Sequence, residues 1–152
     1  MENRTENKDF VTIRLAGQLC GIPILEVHDV LSEQSITSVP LSGEAVAGVL
    51  NLRGRIVTAI DLRKRLGLYE KSEGSGKMSI VVEYNEEPYS LLIDSIGDVL
   101  SFPEDSFERN PVTMDPRWQD VSDGIFRLDG ELMVVLDVDK LLDIEKIQAT
   151  AA

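Results

Sequence analysis

The stretch Gly48–Leu66, GVLNLRGRIVTAIDLRKRL, recurs from Gly124 to Leu142 as GIFRLDGELMVVLDVDKLL. Without a gap, six of the 19 positions are identical: Gly48/Gly124, Leu52/Leu128, Gly54/Gly130, Asp61/Asp137, Lys64/Lys140 and Leu66/Leu142. A block upstream repeats too. GIPILEVHDVL from Gly21 aligns with SLLIDSIGDVL from Ser90, sharing Ile24/Ile93, Asp29/Asp98, Val30/Val99 and Leu31/Leu100. The blocks recur at offsets of 69 and 76 residues, so the second copy carries seven extra residues between them. Such self-similarity marks an internal duplication of a small unit. The unit is β in character. Val46–Leu52 and Ile56–Ile60 are β-rich runs separated by Arg53-Gly54-Arg55, the pattern of a hairpin whose Gly54 supplies the positive φ of a tight turn, with Gly130 in the same place in the second copy. Asp61 and Asp137 suit helix N-caps, and Leu62 and Leu66 are spaced to bury one side of a short helix.

Outward from the repeat, Phe10–Leu15 alternates, with Val11, Ile13 and Leu15 on one face and Thr12 and Arg14 on the other, which predicts a half-buried strand. Leu19–Ile24 and Val27–Leu31 continue as short β segments broken near Pro23, and Pro40 and Gly43 open a loop. Strands resume at Met78–Tyr84 and Tyr89–Ile93. The tract YEKSEGSGK over 69–77 reads as a flexible connector between copies spanning approximately 10–68 and 78–145, with flexible ends at 1–9 and 146–152. Ser101–Asp123 is the longest irregular segment and contains Pro103, Pro111, Pro116 and Trp118, the last read as an anchor for that loop. Val138, Leu141, Leu142, Ile144 and Ile147 can line a C-terminal helix. Many short strands, glycine hairpins and little helix predict a mainly β chain of small antiparallel barrels. One barrel per copy, meeting at a seam, would leave a groove there for a partner.

Composition removes several function classes. A formal charge of −12 over 152 residues argues against nucleic acid and anionic membranes, and no apolar run reaches the roughly 18 residues that span a bilayer. The polar start MENRTENKDF lacks an apolar signal region, which by default points to the cytoplasm. One cysteine, Cys20, reads as a small buried hydrophobe. With His28 as the one histidine there is no disulfide pair, no zinc set and no cofactor motif. The basic cluster Arg53, Arg55, Arg63, Lys64 and Arg65 reads as a solvated turn and helix face rather than a phosphate site. Carboxylates are plentiful, but nothing brings two together in an apolar cleft, so a small acidic enzyme would have to rest on His28. Comparing the copies isolates one charge arrangement. Arg53 corresponds to Asp129 and Asp29 to Asp98, so only the first copy offers opposite charges. Asp29 and Arg53 are therefore expected to meet, with the guanidinium donating to the carboxylate, either to tie strands together or to fix a docking edge.

At G-V-L-N-L-R-G-R-I-V followed by I-D-L-R-K-R-L-G, the sequence closely resembles the CheW family of chemotaxis coupling proteins, over Phe10 to about Leu142. The resemblance implies two intertwined five-stranded SH3-like barrels with short helices and a C-terminal helix. It implies no catalysis and no cofactor. It implies instead an adaptor at membrane-associated receptor arrays in bacteria, bridging the regulatory domain of the histidine kinase CheA to the cytoplasmic hairpin tip of chemoreceptors, with ring contacts between CheW copies as a further implied partner. A CheW-like adaptor of a non-flagellar chemosensory system is the alternative within the class. A fragment of a larger kinase or receiver-fused relative is a third reading, which the polar ends at Met1 and Ala152 disfavour. By the same resemblance the motif arginine is Arg53, its carboxylate partner is Asp29 in place of the commoner glutamate, and the motif glycines are Gly48 and Gly54. The receptor groove would be lined by Ile24, Val27, Val30, Ile96 and Val99, positions whose residue types suit core packing equally well. Ser90 takes the place of a small residue that permits close approach.

Overall fold

A computed structural model describes residues 6–32, 35–39, 43–68 and 78–143. Ten strands are arranged in two five-stranded sheets. They are β1 (Asn7–Leu15), β2 (Gln18–Pro23), β3 (Val27–Leu31), β4 (Val46–Leu52), β5 (Arg55–Asp61), β6 (Met78–Tyr84), β7 (Glu87–Ile93), β8 (Ser95–Pro103), β9 (Ser122–Leu128) and β10 (Glu131–Leu136). Among the described residues, three α-helices of one turn accompany them, α1 (Leu62–Arg65), α2 (Pro116–Gln119) and α3 (Val138–Leu141), with single 3-10 turns at Ile24–Glu26 and Glu104–Ser106. The first sheet has the order β8-β1-β2-β10-β9 and the second β3-β6-β7-β5-β4.

Each sheet therefore mixes the two repeats. β1 and β2 leave their own copy and pair with β8 and β10, while β6 and β7 pair with β3 and β5. The barrels are intertwined, as the family resemblance implies, and the reading of one barrel per copy is corrected. The exchange is symmetric down to register. Val135 pairs with Gly21 in the first sheet, and Ala59 pairs with Ser90 in the second. Each sheet curls until the chain beyond its outer strand meets the opposite edge, through the bridges Thr37↔Val49 and Glu108↔Ile125. Gly48 and Gly124 sit beside these bridges with φ near +150°, and a Cβ on either would run into the backbone of Thr37 or Glu108. That contact explains why the motif keeps glycine there.

Because the sheets pack on each other, their inner strands are buried on both faces. Val11, Ile13, Leu15, Ile22, Ile80, Leu91, Ile93, Val134 and Leu136 form the shared core, closed by Leu62, Leu66, Leu141 and Leu142 around the short helices. The opposite faces fill the barrels, one with Phe10, Leu19, Phe126, Met133 and Val135, the other with Leu50, Val57 and Ala59. Thr12 is therefore buried, its hydroxyl donating to the Asp98 carbonyl at 2.6 Å, where alternation predicted an exposed face. β1 starts at Asn7, inside the segment expected to be a flexible end, and Ser101–Pro103 belong to β8 rather than to a loop. Trp118 on α2 packs against the shared core, and Asp115 caps that helix by accepting from the Arg117 amide at 2.8 Å. The connector 69–77, Pro40, and Ile144 and Ile147 of the expected C-terminal helix lie outside the described residues.

Candidate protein-docking site

The β4–β5 hairpin closes through Arg53 and Gly54, whose φ angles of +52° and +84° are the paired left-handed conformations of a turn that follows the natural strand twist. Asn51 Oδ1 accepts from the Gly54 amide at 3.0 Å and pins the turn. The Arg53 side chain then reaches β3, where its Nη2 lies 3.0 Å from Asp29 Oδ2. Asp29 Oδ1 accepts from the Val30 amide at 2.9 Å, but Oδ2 is buried without an aligned hydrogen bond. The two residues meet as a charge pair, and the donation expected from the guanidinium is missing. Aspartate is one methylene shorter than glutamate, and the fork of Arg53 falls short of alignment. Arg53 is 79% exposed, so the guanidinium side of the pair is open to solvent and screened, while Asp29, at 24%, keeps its carboxylate largely covered.

This pair borders a cleft of about 240 Å³ with Arg55, Glu83 and Pro88. His28 lines it as well, half-exposed, with Nε2 3.6 Å from Glu83 Oε2. Among the described residues the second hairpin has no counterpart of the pair, Asp98 and Asp129 being of like charge. There Arg127 Nε meets Glu108 at 2.8 Å instead.

The five apolar positions divide. Val27 on β3 and Ile96 on β8 are half-buried against the shared core, whereas Ile24, Val30 and Val99 are exposed. β3 and β8 are outer strands of different sheets, each pairing with a strand that the other repeat contributes across the exchange, β6 and β1. Ile96 and Val99 are held by pairing with Ile13 and Val11 of β1. Ser90 is fully buried in β7 opposite Ala59, its hydroxyl without a hydrogen-bond partner, and the equivalent position in the other sheet is Gly21.

Sequence reading misplaced two members of the basic cluster. Arg63 and Arg65 are buried, not solvated. Arg63 grips Asp94 through Nε at 2.7 Å and Nη2 at 2.5 Å, and the second carboxylate oxygen also accepts from the Ala16 amide at 2.8 Å. Asp94 stands where the chain crosses from β7 to β8, so this cluster clasps α1, the β1–β2 turn and the crossover together. Burial would raise the Asp94 carboxyl, but the hydrogen bonds from Arg63 and Ala16 and the Arg63 charge outweigh it and hold the group below its ordinary range. Arg65 donates to the carbonyls of Leu141 and Lys140, each at 2.8 Å, and so caps α3 of the other repeat. Burial lowers its guanidinium from the ordinary value. Burial likewise pushes the Cys20 thiol well up, consistent with a packed hydrophobe. Exposed Leu25, Phe107 and Val112 were not singled out from sequence, since isolated apolar residues in irregular segments carry no periodic signal.

Comparison with known proteins gives a consistent picture. A family model described as CheW-like domain matches residues 9–146. The chain is 25% identical to the chemotaxis protein CheW of Klebsiella aerogenes, over 97% of this chain and 89% of that one. It is 29% identical to CheW of Thermotoga maritima, over 89% and 87% of the two chains. Protein PilI of Pseudomonas aeruginosa is 27% identical over 82% of this chain and 70% of its own length. Among solved structures, the scaffolding protein TtCheW of Thermoanaerobacter tengcongensis superposes with a TM-score of 0.81 at 31% identity, covering 94% of this chain and 97% of its own.

Proposed function

Because the chain belongs to the CheW-like domain family, we propose that it is a non-catalytic adaptor that couples the cytoplasmic hairpin tip of chemoreceptors to the regulatory domain of the histidine kinase CheA. The observation that carries this reading is the family match across 9–146, on a fold that exposes apolar side chains and an ion pair on its outer strands. An amphipathic receptor helix has an apolar face that suits Ile24, Val30 and Val99, with the half-buried Val27 and Ile96 at its base. Arg53 and Asp29, on the neighbouring hairpin and strand, set the charge at the partner-binding edge of the second barrel. Each contact is modest, and an array makes them firm through multivalency, including any contact between copies in a ring. The site of action is the cytoplasmic face of receptor arrays. Among the described residues no helix is long and apolar enough to cross a membrane.

The test is a binding and kinase-activation assay with the CheA regulatory domain and a receptor hairpin fragment, alone and together, using wild type and Arg53→Ala. Binding of both partners, with receptor-dependent kinase activation only when this protein is added, supports the coupling role. A folded protein that binds neither partner overturns it. A second reading, the same adaptor role in a different receptor–kinase system, is favoured by the match to a relative that bears the name PilI. It predicts binding to receptors and kinases of that system in preference to those of chemotaxis. His28→Ala should leave coupling intact, because the imidazole is half-exposed and its approach to the Glu83 carboxylate, at 3.6 Å, is weak.

A further inference from the structure

We propose that a groove at the mouth of the first barrel docks a linear, basic, amphipathic segment of a partner protein. The groove encloses about 530 Å³. Its floor is aromatic, made of Phe10 and Phe126 from the barrel interior and Phe107 from the segment after β8. Phe107 and Phe126 stand 5.2 Å apart, ring to ring, and Phe10 and Phe126 5.3 Å. At the lip, the one-turn helix Ile24–Glu26 holds Leu25 out with 93% of its surface exposed, an arrangement that costs hydration with no packing against the described residues to offset it.

Charge decides the occupant. Glu6, Asp9, Glu104 and Asp123 line the rim, against one cation among the described residues, Lys8, which pairs with Glu104 at 3.2 Å. Glu26, next to Leu25, feels one rim carboxylate, Asp123, together with two acids at the start of α3. Its carboxyl is raised above the ordinary range by partial burial and then by Asp137, Asp139 and Asp123. Aromatic floor, apolar lip and acidic rim together fit one or two aliphatic or aromatic anchors flanked by lysine or arginine. An acidic or uncharged apolar segment would meet the same floor but be repelled or left unsteered by the rim.

The groove shares Ile24 with the apolar row proposed for the receptor. The test therefore substitutes Leu25, Glu104 and Asp123, which that row does not contain, so failure here and failure of receptor–kinase coupling are separate results. Three fluorescent peptides of about twelve residues are titrated into the full chain. One has leucine and phenylalanine anchors flanked by lysines, the second has the same anchors flanked by glutamates, and the third has lysines with serine in place of the anchors. The first should bind, with amide shifts centred on Phe10, Leu25, Phe107 and Phe126, and Leu25→Asp should weaken it about tenfold or more without lowering the melting temperature. Asp123→Asn combined with Glu104→Gln should weaken it several-fold, most clearly at low salt. Equal binding of the glutamate or serine peptide overturns the proposal. So does unchanged affinity in Leu25→Asp, or shifts scattered over the surface, which would mean general attraction to a chain of charge −12.

Discussion

Arg63 and Arg53 belong to one basic tract and meet aspartates in different surroundings. The Arg63–Asp94 pair is almost closed off, at 8% and 11% side-chain exposure, with every contact geometrically aligned. Removing one partner of such a pair leaves a buried charge, so Arg63→Ala should cost about 3–5 kcal/mol in a urea denaturation series. The pH dependence follows from the depressed Asp94 carboxyl. Its stabilisation is complete above the unfolded carboxylate pKa of about 3.9 and is lost as pH falls through the lower folded value. Asp94→Asn should therefore be less stable than wild type at neutral pH, and the difference should shrink on acidification below about pH 4. Arg53→Ala, by contrast, should change stability by less than about 1 kcal/mol while weakening partner binding, a separation that calorimetry and binding titration can measure side by side. The Arg53–Asp29 encounter was legible because the duplication supplies an internal control at Asp129 and Asp98. Arg63 was not, because a run of basic residues on a short helix carries no sign of an acceptor 31 residues further along the chain.

Hairpins and caps recur in both halves and were readable, while the closing bridges Thr37↔Val49 and Glu108↔Ile125 were not. Asp61 and Asp137 cap α1 and α3 as the spacing implied, accepting from backbone amides one turn ahead. The two motif glycines in the first repeat, Gly48 and Gly54, do different work. Gly54 stands in open space at φ +84°, so Gly54→Ala should cost only about 1 kcal/mol of backbone strain. Gly48 faces the Thr37 carbonyl across the closing bridge, and Gly48→Ala should cost about 3 kcal/mol or more, because backbone would have to move. Thermal melts of the two variants rank the prediction directly. Strand limits were harder to read. Asn7–Asp9 and Ser101–Pro103 are polar or proline-bearing, and they are strand because β1 and β8 pair with each other across the exchange, as in Asn7↔Pro103 and Asp9↔Ser101. Nothing local to either segment specifies that partner.

The exchange itself is the property of the whole chain. The repeat was visible in sequence, yet hydrophobic alternation is identical for strands that pair within a copy and strands that cross, so only the family resemblance pointed to intertwined barrels. Both faces of β1, β2, β6, β7 and β10 are buried for the same reason. Neither half can complete a sheet. Fragments 1–68 and 78–152 should each lack stable tertiary structure and recover the native circular dichroism when mixed in equal amounts, whereas independent folding of either would contradict the shared core. The same exchange shapes how the chain is made. β1 and β2 leave the ribosome first, but β8, β9 and β10, three of the five strands in their sheet, follow more than half the chain later. Until Leu136 clears the exit tunnel, Val11, Ile13 and Ile22 have no sheet to close over them, so the nascent first half must be shielded by chaperones or kept dilute while the second is translated.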